Sequence, residues 1–191
     1  MVQPHWYYNL QSGGTESPLG YLLQCLLESR VRLGVPSSEP ETEEVNVYLG
    51  HLLLAVMTSS YRETCARYVA GTDTDIFQKI EATRETAEKF LVYRANADDR
   101  LLRGSVFCPA DAPPPGGDGS TYYHFAAEYN KQIYRRPTSL SAVLEHLSGA
   151  FGTYETILRH MRHAYFQLWQ ELPDRTLQDW LRSLEQSPPT S

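Results

Sequence analysis

Six histidines and a few carboxylates are the side chains whose spacing could carry chemistry. His51 sits in an apolar run, with Val47 and Leu54 on its own helical face. His124 and Glu128 are four apart and share a face, while His160 and His163, three apart, lie over one turn. Joined by Asp98, the residues His51, His124 and Glu128 offer the donors of a nitrogen- and oxygen-lined ligand site, or a general base with its carboxylate. A plainer role stands beside this one. A histidine inside an apolar helix is commonly a neutral core residue, hydrogen-bonded to a tyrosine, carboxylate or carbonyl. His51, Asp98, His124 and Glu128 are therefore the expected ligand-binding set, with no metal ligand and no catalytic residue assigned among them.

Arg159, Arg162 and His163 form the main basic concentration, with Arg135 and Arg136 nearby in sequence. They could hold a phosphate or an acidic group. The competing reading is a solvated face balanced by Glu155 and Glu171. In the heptad frame below, His160 falls beside the apolar seam and His163 on the outer face, which disfavours both as ligands of a buried metal.

Established catalytic signatures are absent: no P-loop, dinucleotide fingerprint, nucleophile elbow or H-E-x-x-H occurs. The Glu-x-x-His repeat of di-metal helical bundles is also missing, since Glu128 is followed at that spacing by Lys131 and Glu155 by Leu158. Cys25, Cys65 and Cys108 are too widely spaced for a zinc ribbon, and their odd number argues against a disulfide framework. The first two read as small apolar residues on helices. The 13 tyrosines suit the semi-polar edge of a helical core as well as a pocket or interface.

The elements that must position these groups are helices. From Leu140 the apolar residues Leu144, Leu147, Phe151, Tyr154, Leu158, Met161, Tyr165, Leu168 and Leu172 alternate spacings of four and three. That is a heptad seam, and a second column at Val143, Ala150, Ile157 and Ala164 widens it to the stripe of a bundle core. One long helix over 138–172, opened by Thr138 and broken at Pro173, is the expected organiser of the fold. Earlier helices are expected from Pro18, capped by Ser17 and ended at Gly34; over 43–57, apolar almost all round and so central; over 61–70, capped by Ser60; over 74–103, capped by Asp73; and over 121–135, stopped by Pro137. In 74–103 the polar residues Arg94, Asn96, Asp98 and Asp99 interrupt the apolar stripe. Gly50 implies close approach of another helix, because glycine weakens a helix by up to about 1 kcal/mol relative to alanine.

The expectation is thus an all-α fold, an antiparallel bundle of four main helices plus one or two short ones, in one domain over 1–191. Trp6 and Tyr7, on an arm over 1–14, are expected to pack on the body or a partner. The proline- and glycine-rich stretch 104–120 reads as a flexible loop and 186–191 as a disordered tail. The chain has 191 residues, 41% hydrophobic and 21% charged, enough for a sizeable core. Its net charge of −6 argues against nucleic acid. No apolar run reaches the roughly 20 residues that span a bilayer, and no secretory leader is evident. A cytoplasmic protein without a cofactor is expected. Three functions fit: a non-enzymatic helical interaction protein, a bundle enzyme with a metal or small ligand near His51, or an anion binder at Arg159–His163. The first is favoured, because catalytic signatures are missing. Gly149, Gly152, Thr153 and Thr156 on the back of the long helix would let it pair as a homodimer or meet a protein partner.

Overall fold

The computed structural model describes residues 18–36, 40–56, 58–107 and 119–166. The aromatic arm, Ser17, Cys108, most of the proline- and glycine-rich stretch and the tail over 186–191 lie outside these residues. Within them the chain is all-helical. The elements are α1 (Pro18–Arg32), α2 (Pro40–Ala55), α3 (Ser59–Tyr68), α4 (Asp73–Ala82), α5 (Thr86–Ser105), α6 (Gly119–Tyr134), α7 (Ser139–Gly149) and α8 (Phe151–Met161), followed by a π-helical turn, Arg162–Phe166.

Local chemistry sets the boundaries. Gly34 adopts φ +67 just past α1, and the Val35 amide returns to the Arg30 carbonyl, a left-handed C-terminal stop that glycine makes at no steric cost. Thr138 caps α7 through a reciprocal pair: its hydroxyl accepts from the Ser141 amide, and the Ser141 hydroxyl accepts from the Thr138 amide. Thr58 and Thr72 cap α3 and α4, each one or two residues before the caps expected at Ser60 and Asp73.

Where four main helices and one or two short ones are expected, the described residues form eight α-helices, because two long helices are divided. The helix expected from residue 138 breaks between Gly149 and Phe151, where Ala150 turns to φ −120, ψ 26. Ser148 and Gly149 provide the pliable step at which helices kink. The apolar seam survives the break: Leu144, Leu147, Tyr154, Leu158 and Met161 are all buried. The helix expected over 74–103 divides at 83–85. There the Thr83 hydroxyl donates to the Lys79 carbonyl and Glu85 takes an extended conformation before α5.

The division moves the centre of the molecule. Helix α5 packs against α3, α4, α6 and α8, and it is buried along most of its length from Phe90 to Ser105. Helix α6 lies between α5 and α7, while α1 and α2 pair and contact α8 and α7 respectively. Gly50 lets α1 and α2 touch, since a Cβ there would sit 2.9 Å from Leu19 Cδ1. No helix among the described residues is long and apolar enough to cross a membrane.

Candidate functional site

Three helices each contribute one stripe to a cleft of about 490 Å³. From α2 come Tyr48, His51, Leu52 and Ala55, spaced i, i+3, i+4, i+7. From α5 come Leu91, Arg94, Ala95 and Asp98, at the same spacing. Helix α3 and its cap close the third side with Thr58, Ser60, Tyr61, Thr64 and Cys65.

The floor is a polar cluster around Asp98, a carboxylate only 5% exposed. Tyr48 and Tyr123 both donate their hydroxyls to Asp98 Oδ1, each at 2.7 Å. Arg94, one turn earlier on α5, places Nε 3.7 Å from Oδ2 and donates from it to the Tyr48 hydroxyl at 3.1 Å. The Arg94 guanidinium also lies over the Tyr48 ring, 5.2 Å from its centroid. One carboxylate thus ties α2, α5 and α6 together, and its near-complete burial is offset by two tyrosine hydroxyl donors and the nearby Arg94 charge.

Burial raises the Asp98 carboxyl above its ordinary value, with Arg94, Tyr48 and Tyr123 pulling the other way. The Tyr48 and Tyr123 hydroxyls are raised well above theirs, first by burial and then by the adjacent Asp98, so both stay protonated donors. Burial opposes the charge on Arg94, but Tyr48 and Asp98 outweigh it and its pKa is raised. Burial also raises the Cys65 thiol, against a hydrogen bond from Tyr61, so this residue is a thiol and a weak nucleophile.

The expected site residues separate. His51 and Asp98 share the cleft, but His51, expected inside the apolar helix, is exposed at the mouth, while Asp98 forms the floor. His51 falls on the side of α2 away from Leu49 and Leu53, the side that an almost uniformly apolar sequence does not reveal. His124 and Glu128 lie on α6 outside this lining. His124 is exposed beside the Phe125 ring, and Glu128 pairs with Lys131 at 2.8 Å. No group of three histidine, cysteine or acidic side chains fit to hold a metal occurs among the described residues.

In the basic cluster, Arg159 donates to the Gly104 carbonyl at 2.8 Å, so one of its donors is committed to α5. His160 is half-buried with Nδ1 3.1 Å from the Ser29 hydroxyl, and His163 is exposed. Arg162, half-buried, lies in the π-helical turn.

Sequence reasoning missed Arg94, Tyr48 and Tyr123 as partners of Asp98. Its one available signal was the pair Arg94 and Asp98, a turn apart on the same stripe that interrupts the apolar face of α5. The tyrosines lie 50 and 25 positions from Asp98 and carry no local mark.

Helix α3 is the loosest wall. None of its residues is fully buried, and its hydrogen bonds to the body gather at its C-terminal end, where Tyr68, like Tyr61 nearer the start, packs on the core. Asn96 of α5 accepts from the Ala70 amide at 2.9 Å and donates to the Tyr68 carbonyl at 3.0 Å. The Lys79 ammonium donates to the Arg67 and Val69 carbonyls at 3.0 and 3.2 Å.

Comparison of the chain with protein-family models, with curated proteins and with solved structures gives no match.

Proposed function

We propose that this protein binds a small organic molecule in the cleft between α2, α3 and α5. The supporting observation is the cleft's composition: apolar walls from Leu52, Ala55, Leu91 and Ala95 above a floor of convergent polar groups at Asp98, Tyr48 and Arg94. Its size lies within the roughly 300–1,000 Å³ typical of small-molecule sites. A buried, network-bonded carboxylate at the base of such a cleft fixes orientation, while the apolar walls supply affinity. The reading is of a binding protein: Cys65 is held as a thiol, and His51 stands at the rim.

The test is nuclear magnetic resonance titration of the labelled protein with a library of small organic fragments. Binding should shift amides of 48–55, 60–65 and 91–98 together. Ala95→Trp, which fills the cleft, should abolish those shifts while leaving the helical circular-dichroism signal unchanged. Fragments that shift other surfaces only, or that bind Ala95→Trp equally well, would overturn the proposal.

Association of the chain with itself is the second reading. Gly149 and Gly152 are exposed, with nothing near the space that a Cβ would occupy, and Thr153 and Thr156 beside them are also exposed. This small-residue face at the α7–α8 junction is open to a second copy. Sedimentation showing a strict monomer at high concentration would end that reading.

A further inference from the structure

Arg94 is positioned by contacts that leave most of its donors unused. A guanidinium has five N–H groups in a fixed plane. Here the inner edge is held through Nε alone, by the Tyr48 hydroxyl and, at longer range, by Asp98 Oδ2. One face lies over the Tyr48 ring. These contacts fix the plane while the terminal amino groups make no protein hydrogen bond among the described residues. The side chain is 37% exposed and lines the cleft. A planar fork, oriented in advance and left open, matches a planar acceptor of two oxygens.

The charges around it narrow the choice. Asp98 is the one carboxylate in the lining, and it is only 5% exposed; Oδ1 already takes two tyrosine hydroxyls and Oδ2 faces Arg94. A cationic ligand would find that carboxylate sealed and would meet the Arg94 charge first. A phosphate would bring close to two negative charges to a cleft with a single guanidinium and a carboxylate beneath it. A carboxylate brings one charge, in the shape that the open edge fits. Beyond Arg94, Leu52, Ala55 and Leu91 offer apolar surface and no further charge. On the reading that the cleft is a binding site, we infer that its ligand is a small organic carboxylate, its head on the Arg94 amino groups and its apolar body along Leu52, Ala55 and Leu91.

Three probes of one shape test this: 3-phenylpropanoate, 3-phenylpropan-1-ol and 3-phenylpropylammonium. Each is titrated into the full-length protein, with cleft amides as the readout. The carboxylate should bind about tenfold tighter than the alcohol, and the ammonium weaker than both. Arg94→Gln should remove the advantage of the carboxylate over the alcohol. Arg94→Lys should keep part of the difference, because it keeps the charge without the fork. Unchanged positions of the amides of 48–55 and 60–65 in the unliganded Arg94→Gln protein report that the cleft is intact. If the alcohol equals the carboxylate in the wild type, or the carboxylate keeps its advantage in Arg94→Gln, the inference about ligand class fails and the cleft proposal stands. If none of the probes moves a cleft amide, the cleft proposal fails and the inference falls with it.

Discussion

Asn96→Ala should loosen one wall of the cleft more than it harms the rest of the fold. Asn96 is 1% exposed and makes three side-chain hydrogen bonds. The bond to the Val92 carbonyl stays within α5, where that oxygen also serves the helix, so its loss costs little. The other two cross to residues 68–70 and hold the end of α3. Each crossing bond contributes about 1 kcal/mol net, and neither the Ala70 amide nor the Tyr68 carbonyl gains another side-chain partner, so the expected loss is about 2 kcal/mol. No residue of α3 is fully buried, and the apolar area that remains to hold it is that of the partly buried Tyr61 and Tyr68. Hydrogen exchange of peptides spanning 59–70 should accelerate roughly 30-fold, the factor equivalent to 2 kcal/mol.

A urea titration supplies the second constraint. If α3 releases as a unit from helices that stay folded, the global loss is capped by the free energy that keeps α3 closed. Asn96→Asp keeps an acceptor for the Ala70 amide but sets a charge against the Tyr68 and Val92 carbonyls, and should fall at least as far as alanine. Wild-type protection of 59–70 in Asn96→Ala would refute the reasoning. So would a global loss above about 4 kcal/mol, because that would make Asn96 a support of the core and not of α3.

Arg135 follows α6 with φ 55, a left-handed conformation that costs a non-glycine residue roughly 1 kcal/mol; Arg135→Gly should raise stability by about 0.5–1 kcal/mol in urea unfolding, and an unchanged or lower midpoint would count against a strained stop. The Asp98 carboxyl has a native pKa above its usual 3.8, so the folded chain holds this proton to higher pH than the unfolded chain does. Its contribution to stability is therefore fully present below the unfolded value and lost as pH rises through the native one. Wild-type stability minus that of Asp98→Asn should fall as pH rises from about 4, the ordinary carboxylate value, through the raised native one; a rise would mean that Arg94 and the two tyrosines outweigh burial.

The parts of the fold legible in the sequence are those set by neighbours in the chain. Gly34, Thr138 and the buried seam through Leu144, Leu147, Tyr154 and Leu158 rest on local stereochemistry and periodicity, and these are written in consecutive residues. The break at Ala150 is not legible that way, because the four-three spacing continues across it: a kink between Gly149 and Phe151 keeps both halves of the seam facing inward. His51 shows the limit from the other side. Nearly every residue around it in α2 is apolar, so periodicity does not say which side of the helix is covered, and the histidine lies on the open one. Asp98 announced itself only as an interruption. Its partners Tyr48 and Tyr123 reach it across 50 and 25 positions, a pairing that tertiary packing alone decides.

The placement of polar residues on α5 connects the fold to the cleft. A helix packed against four others would be expected to turn apolar side chains to all of them, yet α5 carries Arg94, Asn96 and Asp98 in its buried middle. Asn96 holds the end of α3, Asp98 the hydroxyls of Tyr48 on α2 and Tyr123 on α6, and Arg94 the ring and the same hydroxyl of Tyr48. Aliphatic residues there would bury well without desolvating a carboxylate and a guanidinium. What the polar set provides instead is direction. Tyr48 is bonded to α5 and Asp98 to α2 and α6, so Arg94, which rests on both, is held in one orientation where it lines the cleft. The wall opposite, α3, is the one whose ties are fewest. On the proposed reading, a polar floor beneath a lightly held wall would orient a ligand before α3 encloses it, and the two variants test the two parts separately: Arg94→Gln should change which probe is preferred, Asn96→Ala how well 59–70 is protected.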